Sequence, residues 1–181
     1  LYCPRCETPL AASEIAMANS YRDVTEKTAT AKFKLLNQKN TFLLAWTTTP
    51  WTLIGNVALI VNEDLTYVKI LIGKENYILA KDCLEKVKVP YKIVEEFKGK
   101  QLLNQADEPL YPLKTNERAH YIINGGENVT IEGPGVIHCA AYGELDYEMI
   151  KTYKLPLIQH VNNEGKLVLG PAEWHNTFFK K

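Results

Sequence analysis

The residues best suited by type and spacing to do chemistry are Trp46-Thr47-Thr48-Thr49-Pro50-Trp51-Thr52-Leu53. Three consecutive threonines end an apolar run, and a proline follows. Thr is favoured at a helix N-cap and Pro at the first helical position, so Thr49-Pro50 reads as strand end, cap and helix start. That geometry gathers backbone N–H groups and several hydroxyls at one point, suited to a carbonyl, a carboxylate or a phosphate. The same threonines would also serve merely to fill strand positions and cap a helix. A second stretch, Gly135-Val136-Ile137-His138-Cys139-Ala140-Ala141-Tyr142-Gly143-Glu144-Leu145-Asp146-Tyr147, places a histidine late on an apolar strand. A small-residue loop and two carboxylates follow it. This reads as the rim of a site, or as a satisfied core histidine. Cys139 beside His138 suggests a nucleophile–base pair, but adjacent strand residues point to opposite faces, and the pairing fails on that geometry.

Two further patterns carry chemistry. Cys3-Pro4-Arg5-Cys6 is a CxxC turn, half of a tetrahedral zinc site. Cys83 and Cys139 are single and distant, so a complete site requires a second cysteine pair from outside this sequence. Without it the turn carries free thiols. Lys81, Lys86, Lys88, Lys92, Lys98 and Lys100 lie among Asp82, Glu85, Glu95 and Glu96. This mildly basic strip is a solvated face or an edge for nucleic-acid phosphates.

The elements that must position these residues are mostly short strands. Lys32 to Leu35 alternates polar and apolar, as a half-buried strand does. Thr41 to Trp46, Val57 to Val61, Tyr67 to Ile72 and Tyr77 to Leu79 are apolar, β-rich runs separated by turn chemistry such as Asn62-Glu63-Asp64. Lys81 to Lys88 reads as a short helix, and Lys92 to Asn128 as loops and edge strands. Val136 to Cys139 is a strand entered through Gly133-Pro134-Gly135. Glu144 to Tyr153 is a helix, with Leu145, Met149 and Tyr153 on one face, and Leu155 to Val161 reads as a last strand. Many strands and few helices predict an α+β fold on a β-barrel-like or strongly curved sheet with a few peripheral helices. Residues 1–30 form a polar, partly zinc-ribbon-like lead-in, and residues 31–181 the main domain.

Composition bounds the partners. The chain has 181 residues, 46% of them hydrophobic, with Lys+Arg and Asp+Glu both 21. Zero net charge excludes a large polyanion affinity from bulk charge alone. The apolar content excludes disorder, and no apolar run approaches the roughly 20 residues needed to span a bilayer. No secretory core opens the chain, and four cysteines are too few for a disulfide scaffold. A reducing, cytoplasmic setting is therefore expected, and Asn128-Val129-Thr130 reads as a chance sequon. A first residue of Leu suggests a piece of a longer protein.

Together the threonine motif with Asn56, Asn62 and Asp64, and Gly135-Val-Ile-His138 through Gly143-Glu-Leu-Asp146-Tyr147, resemble the inserted editing (connective-peptide) domain of isoleucyl-tRNA synthetase, in the class I aminoacyl-tRNA synthetase family. The opening Cys-Pro-Arg-Cys-Glu-Thr-Pro-Leu resembles the zinc-ribbon strand leading into that insertion. Leucine and valine enzymes of the class typically carry Thr-Thr-Arg-Pro, whereas Thr49 stands here in the place of the Arg. The family's His-x-Ala-Pro-x-Phe-Gly-Glu-Asp-Asp-Tyr is one residue longer than the segment from His138 to Tyr147. This chain lacks the Pro and has Leu145 for the first Asp, while Asp146 matches the second.

The resemblance implies hydrolysis of misacylated tRNA, chiefly valine on isoleucine tRNA, as part of an isoleucine–tRNA ligase. The rest of the parent synthetase and the tRNA 3′ end are the implied partners, with no membrane. It assigns Asp146 to the substrate α-ammonium. Thr47, Thr48, Thr49 and Thr52 would line the pocket and bond the ester or ribose. His138 would shape the side-chain sieve and orient ribose or water, with Trp51 and Asn56 at the adenosine rim. Thr48, Thr49, His138 and Asp146 are thus the expected catalytic group, and Thr47, Trp51, Thr52 and Asn56 the expected substrate-binding group. No strong base or covalent nucleophile stands out, so a positioned water is expected, with no cofactor for editing. Zinc enters only at Cys3 and Cys6 with a second pair from the parent. The ATP-binding part of a synthetase is absent, so no aminoacylation is expected. The alternatives are the same insertion from a valyl or leucyl enzyme, a tRNA-binding module disabled by the shortened loop, and a structural zinc-ribbon module.

Overall fold

The computed structural model describes residues 1–113 and 115–180. A two-residue ladder, β1 (Tyr2–Cys3) with β2 (Thr8–Pro9), closes the cysteine turn, and a single helical turn, α1 (Ala12–Ile15), follows. The alternating run then forms β3 (Ala29–Lys34), in which Phe33 is buried and its neighbours Lys32 and Lys34 are exposed. Next come β4 (Thr41–Thr47), a 3-10 helix over Pro50–Gly55, and β5 (Ala58–Val61). β6 (Thr66–Ile72) and β7 (Glu75–Ala80) form a hairpin whose two-residue turn holds Gly73 at φ +62°, a value glycine reaches without steric penalty. A 3-10 helix over Lys81–Lys86 precedes β8 (Lys92–Lys98). β9 (Ile122–Asn124), β10 (Ile137–Cys139) and α2 (Glu144–Tyr153) complete the framework.

The strands form two mixed sheets. One runs β3-β4-β7-β6-β8, with β4 and β7 parallel and the other neighbours antiparallel. The second runs β10-β5-β9, with β5 antiparallel to β10 and parallel to β9. β5 is buried along its whole length, which explains its unbroken apolar sequence. Its alternate residues serve two cores. Leu59 and Val61 join Phe33, Leu43, Tyr67, Ile70 and Ile78 against the large sheet. Ala58 and Ile60 join Tyr121, Ile123 and Cys139 beneath Ile150 and Leu155. Each fully buried large apolar side chain contributes about 1.5–3 kcal/mol, so the small sheet is held from both faces.

The α+β class is as expected, but the sheets do not close into a barrel among the described residues. Leu155 to Val161 is likewise not a strand. Lys154 ends α2 in the left-handed conformation, Pro156 lacks an N–H to donate, and only Val161 forms a bridge, to Leu167. The Tyr142 hydroxyl takes the place of a neighbouring strand by accepting from the N–H groups of His160 and Val161. The short helix expected over 81–88 is the 3-10 turn over Lys81–Lys86.

Candidate functional site

β4 delivers the threonines to the gap between the two sheets, and β10 delivers His138 opposite them. The Thr49 N–H donates to Thr47 Oγ1 (3.0 Å), so this backbone group is not free for a ligand. The Thr52 N–H is likewise used by the Thr49 carbonyl. The hydroxyls then form a directed chain. Thr52 Oγ1 lies 2.7 Å from the Thr49 carbonyl, which can only accept, and this contact consumes the single hydroxyl proton. Toward Thr49 Oγ1 (3.2 Å) and His138 Nε2 (2.7 Å) Thr52 therefore accepts. Thr47 in turn donates to Thr49 Oγ1 at 3.3 Å. The protons of Thr47, Thr49 and Thr52 are all committed inward, and Thr48, exposed at the strand end, keeps its own.

This chain fixes the His138 tautomer. Its Nε2 carries the proton, and Nδ1 is a buried acceptor with no partner among the described residues. Burial lowers the imidazole to a pKa of about 4, so the ring is neutral near pH 7 and a weak base. Cys139, the next residue, faces the other core, and burial pushes its thiol far up. The structure thus bears out the exclusion of a Cys139–His138 pair.

Asp146 is the third residue of α2, where a carboxylate reaches back over the first turn. A Cβ on Gly143 would stand 2.4 Å from Asp146 Oδ2, so the glycine makes room for this fold-back. Ala140 N–H donates to Asp146 Oδ1 (3.3 Å). Burial outweighs the hydrogen bonds to the carboxylate and raises it to a pKa of about 6. Asp146, His138, Thr47 and Thr48 line one cavity of about 230 Å³, walled also by Trp46, Thr130, Glu132 and Gly133.

The remaining predicted residues lie around it. Thr49 and Thr52 stand behind the wall in the hydroxyl chain. Asn56 is buried, its Oδ1 accepting from the Cys139 N–H (3.2 Å), and ties the 3-10 helix to β10. Trp51 faces a second, larger cavity of about 560 Å³ with Tyr111, Trp174, Phe178 and Phe179, and Thr48 stands between the two. Cys3 is half-buried and Cys6 exposed. The Cys6 backbone N–H holds the Cys3 thiol below its ordinary value. Cys83 and Cys139 are buried elsewhere, and no group of three or more metal-ligating side chains occurs among the described residues. These two thiols alone do not make a zinc site. Sequence reasoning missed Thr130, Glu132, and His160, whose ring bonds the Trp51 carbonyl at 2.9 Å. Only the glycines around Thr130 and Glu132 hinted at a functional loop.

Comparison with known proteins gives the family. The chain is 44% identical to isoleucine–tRNA ligase of Clostridium acetobutylicum over 99% of its length, and 44% identical to that of Clostridium novyi over 99%. Identity to the enzyme of Methanocaldococcus jannaschii is 38% over 99% of the chain. The chain spans 17%, 17% and 19% of these relatives. No protein-family model matches. Among solved structures, GlLeuRS-CP1 aligns over 69% of this chain and 59% of its own, with TM-score 0.59 and 18% identity. The editing domain of P. knowlesi cytosolic leucyl-tRNA synthetase aligns over 70% of this chain and 62% of its own, with TM-score 0.53 and 16% identity. The fold is the one these domains share, no helix among the described residues is long and apolar enough to cross a membrane, and by sequence the chain belongs to the isoleucine–tRNA ligase family.

Proposed function

We propose that this chain is the editing unit of a cytoplasmic isoleucine–tRNA ligase and hydrolyses valine esterified to isoleucine tRNA. The observation that carries the reading is the cavity in which Asp146, His138 and the free hydroxyl of Thr48 meet. Asp146 is ionised above about pH 6 and is desolvated, so an α-ammonium group gains a strong charge-assisted bond there. His138, neutral and held through its Nε2–H on Thr52, forms part of the cavity wall and shapes the space left for the amino-acid side chain. Thr48 donates toward the ester oxygen, where charge develops. Neither His138 nor Cys139 supplies a strong base or nucleophile, so catalysis rests on positioning a water.

The need for a second site is physical. One methylene in an apolar pocket is worth about 1–3 kcal/mol, a general magnitude for which valine against isoleucine is itself a familiar case. A bounded cavity instead excludes the larger residue by overlap. The chemistry requires no metal, and Cys3 with Cys6 would bind zinc only where a longer protein adds a second thiol pair.

The test is single-turnover deacylation of Val-tRNA and Ile-tRNA made on isoleucine tRNA. The chain should hydrolyse the valine ester and spare the isoleucine ester. Asp146→Asn keeps an acceptor for the Gly143 turn but removes the charge, and should lower deacylation of the valine ester by about 10–100-fold, the worth of a charged hydrogen bond. Substrate binding by the unsubstituted chain should weaken as pH falls through about 6, where Asp146 takes up its proton. An Asp146→Asn variant with unchanged rate and pH profile would remove the ammonium anchor from the mechanism.

A further inference from the structure

We propose that Lys86 is a positioning residue for the sieve: it fastens the loop that forms one wall of the cavity, and so sets how strictly the larger ester is refused. This deepens the editing reading and rests on it. The wall is Thr130, Glu132 and Gly133, in an irregular segment that joins β9 to β10. Among the described residues no backbone hydrogen bond ties residues 130–133 to a strand. The segment is anchored after that point, where Pro134 accepts from the Ala80 N–H (2.8 Å) and Gly135 from the Tyr67 hydroxyl (2.6 Å). Between these anchors and Val129 the three carbonyls of Ile131, Glu132 and Gly133 converge on one ammonium group. Lys86 Nζ donates to Ile131 O, to Glu132 O at 2.7 Å and to Gly133 O at 3.4 Å. Cys83, on the same 3-10 turn, adds a thiol contact to Ile131 O at 3.5 Å.

The inner side of this loop is as constrained as its outer side. A Cβ on Gly133 would lie 2.8 Å from Trp46 Cβ, so the backbone sits directly on β4. Trp46 also lines the cavity. Lys86 thus holds the segment between a fixed tryptophan and a fixed helical turn. A sieve that works by overlap is only as strict as its wall is stiff. If the wall yields, the additional methylene of the larger substrate is accommodated rather than refused. Lys86 itself does not line this cavity. Ile131 and Glu132 are exposed, so water replaces the ammonium when it is lost, and the fold persists while the loop loosens.

Lys86→Met keeps the aliphatic stem and removes the charge. Backbone amide order parameters at residues 131–133 should fall from the rigid range near 0.85 toward about 0.6, the KM for Val-tRNA deacylation should rise with kcat little changed, and hydrolysis of Ile-tRNA should rise about tenfold. Lys86→Arg, which keeps the charge and donors, should restore loop order and discrimination. Should the Met variant fail to fold, Lys86→Gln decides by the same readouts. Unchanged order parameters and an unchanged Val-to-Ile ratio in a folded variant overturn the proposal. An unsubstituted chain that hydrolyses neither ester overturns the editing reading instead, and the order parameters still report whether Lys86 fastens the loop.

Discussion

At the scale of single residues, the direction of the hydrogen bonds matters more than their number. Thr52 gives its one proton to the Thr49 carbonyl and thereby obliges His138 to donate from Nε2. Thr52→Val keeps the shape and removes the acceptor, which leaves a buried ring N–H unpaired. That should cost about 1–3 kcal/mol in denaturant unfolding, whereas Thr52→Ser should recover most of it. Equal stability for the valine and serine variants would mean that His138 is held by packing alone. The residue types of this site were legible in the sequence, because three threonines before a proline and a histidine before a small-residue loop are rare combinations. Which hydroxyl stays available was not legible. Thr47, Thr48 and Thr49 are equivalent in the sequence, and only the strand alternation and the turn after it commit two of them and spare Thr48.

At the scale of elements, helix α2 was legible to the residue: an apolar stripe at helical spacing, Leu145, Met149 and Tyr153, begins just after Gly143, which stands at the N-cap. The buried run of β5 was equally plain. Leu155 to Val161 has the same apolar character, but Leu155 and Ile158 pack on the second core while His160 packs against Tyr142 and Trp51, and none of these pairs as a strand. His160 is the pivot of that packing. It is fully buried, and its ring lies against Gly55 at the end of the 3-10 helix, where a Cβ would stand 2.5 Å from Nδ1. Gly-to-Ala replacement in a helical segment ordinarily stabilises by about 0.5–1 kcal/mol, and overpacking a core costs about 1–3 kcal/mol. The second effect wins at this distance, because both backbones are fixed. Gly55→Ala should therefore destabilise the chain by about 1–2 kcal/mol in urea unfolding, and adding His160→Ala should remove most of the clash. A Gly55→Ala variant as stable as the parent sequence would show that the ring can retreat.

At the scale of the whole molecule, one buried charge opposes folding. Asp107 is 1% exposed, and neither carboxylate oxygen has a hydrogen-bond partner among the described residues. Its backbone is well used: the N–H donates to the His120 carbonyl, and the residue bridges to Leu35 beside β3. The chain path therefore brings the side chain into the interior, and burial raises its pKa from 3.8 to about 7. The folded state thus binds a proton more tightly than the unfolded chain. Stability from this group is greatest below the unfolded pKa, falls as pH rises through the window between about 4 and 7, and is level above it. A tenfold change in proton affinity corresponds to about 1.4 kcal/mol, so the penalty above pH 7 is about 4 kcal/mol. That is a large fraction of the stability of a domain this size. Asp107→Asn removes the charge at nearly constant volume. Its melting temperature should exceed that of the unsubstituted chain by roughly 10 °C at pH 8, and the gap should close progressively toward pH 4. Since the pH profile of the difference, not its size alone, identifies a buried carboxylate, a gap that is constant with pH would mean that the gain comes from packing and that Asp107 is already neutralised by a partner. A gap that narrows toward pH 4 places the cost in the ionised carboxylate itself.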